Sequence, residues 1–174
     1  MNVTLIGMPG AGKSFVGRRL ADKLGLDFLD VDRALLEPTH GKPLQEILDE
    51  LGEEKFILAE GQAIIVGTIG KGDLVISPGG SVVYRKETME HLKDISTVIY
   101  LKVPFSTVEA RVANIPRGIV GLGTRSLKEL YDERTPLYEN YADFTIETEG
   151  HNTDEIVKEI IEFLDGRRAV RIQT

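Results

Sequence analysis

The 174-residue chain contains no cysteine and no tryptophan, and aromatic residues make up only 6% of it. Without cysteine it can form no disulfide framework, thiolate nucleophile or cysteine-ligated metal site. Its three histidines, His40, His91 and His151, lack the spacing of a metal site or of a nucleophile and its base, so we predict no catalytic role for them. A chain without disulfides suits a reducing compartment, and we expect a cytoplasmic protein.

Basic residues are also few, with 21 Lys and Arg against 28 Asp and Glu and a net charge of -7 at pH 7. Nucleic acids and anionic membranes need a basic face, so we expect neither as a partner. No apolar run approaches the about 20 residues that span a bilayer, and the first residues do not have the pattern of a signal peptide. We therefore expect a small-molecule substrate, and a monomer, because no heptad pattern is evident.

The strongest motif lies at residues 7–14, which read GMPGAGKS and fit the pattern G-x-x-x-x-G-K-[S/T]. An apolar run precedes it and a helix-periodic stretch follows, the context in which loop amides and a helix N-terminus bind phosphate. Lys13 can reach the outer phosphates, and the Ser14 hydroxyl can ligate Mg2+. We therefore predict ATP and Mg2+ as cofactors. The predicted nucleotide-binding residues are Gly10, Ala11, Gly12, Lys13, Ser14 and Phe15.

Strand and helix patterns alternate along the chain and predict an α/β fold in which helices cover both faces of a five-stranded parallel sheet. We predict strands near 2–6, 27–31, 73–77, 97–102 and 143–147. We predict helices near 13–24, 43–50, 53–68, 86–93, 104–112, 125–140 and 153–165, the last capped by Asn152 or Thr153 and ended by the sequence from Gly166 to Arg168. The length predicts a single domain over residues 1–174.

Two segments depart from simple sheet winding. Residues 33–61 insert two predicted helices between the second and third strands, and residues 112–124 form a glycine-rich connection. A long connection in a compact domain is usually either a functional flap or a disordered loop. Beside a phosphate-binding loop, a lid is favoured, and it would carry Arg117 over the phosphates on closing.

Three further patterns can provide chemistry at the carboxyl ends of the strands. Asp30 and Asp32 end the second strand, where one carboxylate can organise Mg2+ and the other can orient or deprotonate an acceptor hydroxyl. Gly79 and Gly80 follow the third strand and allow a substrate to approach the backbone. Arg134 can bind a carboxylate with its planar fork. Each has a structural alternative: a helix cap, an ordinary turn and a surface ion pair.

Together these residues resemble the shikimate kinase family over Asn2 to about Leu164. The matching segments are GMPGAGKS at 7–14, LGLDFLDVD at 24–32, GEEKF at 52–56, Glu60, PGG at 78–80, Arg117 and RTPLYENYAD at 134–143. The resemblance implies a P-loop fold like that of nucleoside-monophosphate kinases, with an acceptor-binding helical insert at 33–61 and a lid at 112–124. It implies transfer of the γ-phosphoryl group of ATP to the 3-hydroxyl of shikimate, a step in aromatic amino acid biosynthesis.

The resemblance also implies roles for single residues. Lys13, Asp32 and Arg117 would be catalytic, and Ser14 and Asp30 would hold Mg2+. The acceptor would contact Asp32, Gly79, Gly80 and Arg134, while Arg111 would lie near the adenine.

Three positions depart from the family pattern. Ile57 stands where members usually carry an arginine that helps to bind the substrate carboxylate, Ser81 replaces the third glycine of a triplet, and Gly118 follows the lid arginine in place of proline. A basic residue of the insert, such as Arg33 or Lys55, can compensate for Ile57 if its side chain reaches the site. Two alternatives stay open: a kinase for another hydroxy acid, sugar acid or amino acid, and a nucleotide-binding regulatory domain without turnover.

Overall fold

The computed structural model describes residues 1–114 and 118–172, and side chains as far as residue 167. Five strands form one sheet in the order β2-β3-β1-β4-β5, and every neighbouring pair is parallel. The strands are Val3–Ile6 (β1), Asp27–Asp30 (β2), Leu74–Ser77 (β3), Thr97–Lys102 (β4) and Phe144–Glu147 (β5). The predicted α/β fold with a five-stranded parallel sheet is therefore confirmed, and each strand was predicted to within one residue at either end.

Helices cover both faces of the sheet. They are Lys13–Leu24 (α1), Glu37–His40 (α2), Leu44–Leu51 (α3), Glu53–Thr68 (α4), Lys86–Ile95 (α5), Phe105–Val112 (α6), Leu127–Tyr141 (α7) and Thr153–Ile172 (α8). Side chains of α1 and α8 pack on one face, and those of α4 to α7 pack on the other. Over the described ranges, none of these helices has both the length and the apolar character needed to cross a bilayer.

Strand β1 lies at the centre of the sheet and contributes to both cores. Its Val3 and Leu5 pack towards α1 and α8, while Ile6 belongs to the opposite core. All three are fully buried. This follows from the pleat, because alternate residues of a strand face opposite sides and a central parallel strand is covered on both.

The insert between β2 and β3 contains more helix than predicted. A π-helical turn, Asp32–Leu36, and the short helix α2 precede the two expected helices. Pro38 makes this stretch resemble a loop, yet it lies in the first turn of α2, where a helix tolerates the missing N–H. The insert forms a small hydrophobic core with one residue from later in the chain, Val120; its other members are Leu36, Leu44, Ile47, Leu48 and Phe56.

The predicted end of the last helix was wrong. Helix α8 does not stop at Gly166 but continues to Ile172. One internal glycine costs only about 1 kcal/mol relative to alanine, and Arg167 adds contacts beyond it, 3.5 Å from Asp143 and 5.7 Å from the ring centre of Phe163. At its start, Asn152 is the cap: its side chain accepts from the N–H of Glu155, whose carboxylate accepts from the N–H of Asn152.

Candidate active site

A cleft of about 980 Å³ opens at the carboxyl edge of the sheet. The glycine loop after β1 forms its centre. The chain passes from β1 to β2 on one side of β1, and from β3 to β4 on the other side. Such a reversal of strand order is the usual position of a ligand site in open α/β sheets. Every sequence-predicted site residue that the structure describes lines this cleft: Gly10, Ala11, Gly12, Lys13, Ser14, Phe15, Asp30, Asp32, Gly79, Gly80, Arg111 and Arg134. Arg117 lies outside the described residues.

The glycine loop has a backbone that other residues would not adopt. Gly12, directly before α1, has a φ of 91°, and Gly7 has a φ of 148°. A Cβ at Gly7 would lie 2.8 Å from the carbonyl oxygen of Leu101. The glycines therefore allow the loop to turn tightly against β4 and to point its amides and the N-terminus of α1 into the cleft.

Two basic side chains lie against this loop. The Nζ of Lys13, which is 9% exposed, donates to the carbonyl oxygens of Gly7 at 2.8 Å and Met8 at 3.1 Å. Arg111, at the end of α6, donates from Nη1 to the carbonyl of Gly10 at 3.0 Å. The loop thus brings two positive charges to the place where an anion would bind.

Ser14 and Asp30 meet on the floor of the cleft. The Ser14 hydroxyl donates to Oδ2 of Asp30 at 3.2 Å. A hydroxyl and a carboxylate are the oxygen ligands that Mg2+ prefers, and Mg2+ in kinases takes its other ligands from phosphate and water. In the part of the chain that the structure describes, no group of three or more His, Cys, Asp or Glu could hold a metal by itself. The pair therefore fits a metal that arrives with a nucleotide.

The end of the cleft at Gly79 and Gly80 is organised by Glu60, to which the sequence analysis assigned no role. Glu60 is 1% exposed, and its carboxylate accepts from the N–H of Gly79 at 2.9 Å and from the hydroxyl of Ser81 at 2.7 Å. This carboxylate holds the turn after β3 against α4. Its signal in the sequence is its spacing, because Phe56 and Ile64, four residues before and after it, mark the buried face of α4.

Burial raises the pKa of Glu60, and the hydrogen bonds from Ser81 and Gly79 and the charges of Arg134 and Lys13 only partly oppose this. A carboxyl with a raised native pKa binds more protons folded than unfolded, so its contribution to stability is full below the unfolded pKa and is lost as the pH rises through the native pKa.

We predict that the unfolding free energy of the wild type, minus that of Glu60→Gln, falls as the pH rises from about 4.5, the ordinary value for Glu. Denaturant unfolding of both proteins across this range measures the difference, in which the other carboxyls cancel. A difference that rises with pH would show that the hydrogen bonds and cations outweigh burial.

Arg134, on α7, is also almost completely buried, with 1% exposed. Its Nε donates to the hydroxyl of Tyr84 at 3.0 Å, and its Nη2 donates to the carbonyl oxygen of Val120 at 2.6 Å. Its guanidinium carbon lies 5.0 Å from the ring centre of Tyr84. The sequence-level alternative of a surface ion pair is therefore wrong for Arg134.

Comparisons with known proteins agree with this arrangement. The family model for shikimate kinase matches residues 9–165. The chain belongs to the shikimate kinase family. It is 37% identical over 161 residues to the shikimate kinase of Persephonella marina, with 92% of this chain and 96% of the relative covered. It is 39% identical over 163 residues to that of Thermodesulfovibrio yellowstonii, with 92% of each covered.

A solved structure supports the same assignment. Shikimate kinase from Acinetobacter baumannii in complex with shikimate matches with a TM-score of 0.84 and 31% identity, covering 95% of this chain and 93% of that one. The resemblance drawn from the sequence motifs is therefore confirmed at the level of family and fold.

Two of this family member's departures can now be placed. Ile57 is half-buried and packs against the core of the insert, and it does not line the cleft. Arg33 and Lys55 are exposed and lie outside the cleft lining, so the idea that one of them replaces the missing arginine is wrong. Ser81 does line the cleft, and its side chain is occupied by Glu60.

The third departure lies in the predicted lid. The first described residues from 118 onwards are packed. Val120, 3% exposed, belongs to the core of the insert, whereas Ile119, 7% exposed, belongs to the core between the sheet and α4 to α7. A Cβ at Gly118 would lie 3.3 Å from the carbonyl oxygen of Leu44. The N–H of Gly121 donates to the carboxylate of Glu53 at 2.9 Å. A glycine at 118 thus allows the segment to run close to α3.

Proposed function

We propose that this protein transfers the γ-phosphoryl group of ATP to the 3-hydroxyl of shikimate. The observation that carries the proposal is one cleft in which a phosphate-binding loop faces a buried arginine, Arg134, beside the turn at Gly79 and Gly80. Membership of the shikimate kinase family and the shikimate complex of the Acinetobacter baumannii relative support the acceptor.

In the proposed mechanism, the glycine loop and the N-terminus of α1 bind the phosphates of ATP, and Lys13 leaves the carbonyls of Gly7 and Met8 to contact the γ-phosphoryl group. Ser14 and Asp30 would hold the metal. Bound Mg2+ neutralises negative charge on the phosphates. Arg111 lies beside the loop and would contact the nucleotide from its exposed side.

At the acceptor end, Arg134 would bind the carboxylate of shikimate. Gly79 would allow the ring to approach closely but offers no donor of its own, because its N–H already donates to Glu60. Asp32 lies beside this turn, with its Oδ1 3.5 Å from the position of a Cβ at Gly79. A carboxylate beside this turn supports Asp32 as the group that would contact the acceptor hydroxyl.

The chemical step then needs one proton transfer and one phosphoryl transfer. The acceptor oxygen forms a bond to the γ-phosphorus as the bond from that phosphorus to the β,γ-bridging oxygen breaks, and ADP leaves. Asp32 orients the hydroxyl and takes its proton. The segment 112–124 would exclude water and supply Arg117 as a lid residue.

The remaining parts of the proposal are that Mg2+ is the metal, and that the enzyme is a single-domain monomer of the cytoplasm. They are supported by the Ser14 and Asp30 pair, by the absence of cysteine and by the acidic net charge. A titration of activity with Mg2+ would test the metal, and sedimentation would test whether the protein is a compact monomer.

The experiment that tests the reaction is coupled detection of ADP with and without shikimate. Shikimate-dependent ADP formation, and a product phosphorylated at the 3-hydroxyl by NMR, are expected. ATP binding without shikimate-dependent turnover would overturn the acceptor. Among the residues that the structure describes, no feature favours the alternative of a regulatory domain without turnover.

One observation favours a second candidate, a kinase for a different anionic acceptor. With isoleucine at position 57, Arg134 is the only basic side chain at the acceptor end among the residues that the structure describes. The missing charge-assisted contact would be worth roughly 1.5–3 kcal/mol. A smaller or differently shaped acid can be bound by one arginine.

If the natural acceptor is such an acid, Ile57→Arg should raise kcat/KM for shikimate by about tenfold. The charged head of an arginine would leave the apolar core of the insert for the cleft that the neighbouring Phe56 lines, and there it would meet the carboxylate. Ile57→Met, of similar length and without charge, is the matched control. Equal or lower shikimate activity in Ile57→Arg, with normal ATP binding, would count against the second candidate.

A further inference from the structure

We propose that Tyr84 is a positioning residue for the acceptor, which holds the guanidinium of Arg134 so that Nη1 faces the cleft. This inference rests on the proposed function, because it takes Arg134 to be the group that receives the acceptor carboxylate. Tyr84 belongs to a 3-10 turn, Gly80–Tyr84, and its own side chain does not line the cleft.

The hydrogen bonds of Arg134 define which edge of its fork is available. Nε donates to Tyr84 and Nη2 donates to the carbonyl of Val120, so two of its three nitrogens are directed at the protein. Nη1 lies 3.2 Å from the position of a Cβ at Gly80, next to the Tyr138 hydroxyl, which donates to the carbonyl of Gly80. Arg134 and Gly80 both line the cleft. Rotation of the guanidinium would move Nη1 away from Gly80 and break both other bonds.

Orientation matters more here than in a site with two arginines. Among the cleft-lining residues that the structure describes, Lys13 and Arg111 lie against the phosphate loop, and Arg134 is the cation at the acceptor end. A planar guanidinium binds a carboxylate well only in the correct plane. A single arginine that is already held loses less entropy on binding.

Tyr84 is itself fixed by charged neighbours. The central carbons of the Arg134 and Arg125 guanidinium groups lie 5.0 Å and 6.0 Å from the centre of its ring. Arg125 in turn bonds both carboxylate oxygens of Glu133 at 2.8 Å. Burial is the main cause that raises the pKa of the Tyr84 hydroxyl, so it remains a neutral acceptor for Nε through the physiological range.

This arrangement also connects the acceptor arginine to the lid segment. Arg134 donates to Val120, the next residue's N–H donates to Glu53, and Glu53 lies 3.8 Å from Arg125. Tyr84 therefore lies next to both arginines, Arg134 and Arg125, that connect the acceptor end of the cleft with the segment that begins at residue 118. If Tyr84 contributed only to stability, its loss would not change how tightly the acceptor carboxylate is bound.

Tyr84→Phe keeps the ring and removes the acceptor for Nε. We expect KM for shikimate to rise roughly three- to tenfold, less than for loss of a direct charge-assisted contact because Arg134 itself remains, while kcat and KM for ATP change less than twofold. KM for shikimate methyl ester, which lacks the carboxylate charge, should rise much less in the same variant. In an Arg134→Lys background, Tyr84→Phe should add little further loss, because the two residues act as a unit.

The matched control is Tyr131→Phe, which removes a hydroxyl that donates to the carbonyl of Val103 at 2.9 Å and lies outside the cleft. It should leave the KM for shikimate unchanged. Equal losses for shikimate and its ester, or an unchanged KM in Tyr84→Phe, would overturn the inference. Absence of shikimate turnover in the wild type would instead overturn the proposed function, so the two failures are distinct.

Discussion

Replacing Lys13 with methionine should lower kcat for phosphoryl transfer by roughly a thousandfold, because the ammonium group stabilises charge that develops on the γ-phosphoryl oxygens. The methionine side chain has a similar length and shape, and the site is 9% exposed, so the main change is the loss of charge and donors. The hydrogen bonds to Gly7 and Met8 are lost as well. Coupled ADP assays at saturating ATP and shikimate measure the effect.

The control for this substitution is Lys158→Met, at an exposed lysine of α8 that pairs with Glu162 at 3.7 Å. It changes net charge equally and should leave kcat unaltered. ATP affinity in Lys13→Met should fall much less than kcat, since loop amides and the helix N-terminus still bind the phosphates. A loss confined to ATP affinity, with kcat retained, would contradict the assignment of Lys13 to the chemical step.

Much of the fold could be predicted because local patterns and long-range packing agree. Buried parallel strands are continuous apolar runs, and β1, β3 and β4 are runs of this kind, so their limits were predicted to within a residue. Helix α2 was missed because Pro38 reads as a breaker unless its place in a first turn is known. The end of α8 was missed because Gly166 opposes the helix by only about 1 kcal/mol.

The same contrast applies to the cleft. The predicted phosphate-binding residues are recognisable in the sequence, because the glycine loop from Gly7 to Ser14 needs a fixed order of residues around a strand end. Residues that hold other side chains in place have no such motif. The bond from Ser81 to Glu60 and the bond from Arg134 to Tyr84 join positions 21 and 50 residues apart, and nothing in their spacing indicates the pairing.

Position 57 shows how a family pattern can mislead at one residue. Family members usually carry an arginine there that helps to bind the substrate carboxylate, and its absence suggested that another basic residue of the insert compensates. In the structure Ile57 instead adds to the apolar core that joins α3, α4 and Val120. The residue lacks the charge of the usual arginine and packs in the same core as Val120, so it joins the insert to the segment after 118.

Asp32→Asn should lower kcat for shikimate by roughly a thousandfold, within the usual range for loss of a general base. The two side chains are nearly equal in shape, but an amide cannot accept the proton of the acceptor hydroxyl. The carbonyl of Asp32 still accepts from the N–H of Glu37, so the π-helical turn is retained. Initial rates at saturating ATP and shikimate, for the variant and the wild type, measure the effect.

Asp30→Asn separates this role from metal binding. Asp30 is 7% exposed and accepts the Ser14 hydroxyl, so its charge acts at the metal position and not at the turn beside Gly79. We expect Asp30→Asn to raise the Mg2+ concentration needed for half-maximal activity, whereas Asp32→Asn should leave that concentration unchanged and reduce only the maximal rate. If both variants showed the same shift in Mg2+ requirement, the two carboxylates would share the metal. Proton removal would then have to be assigned to another group in the cleft.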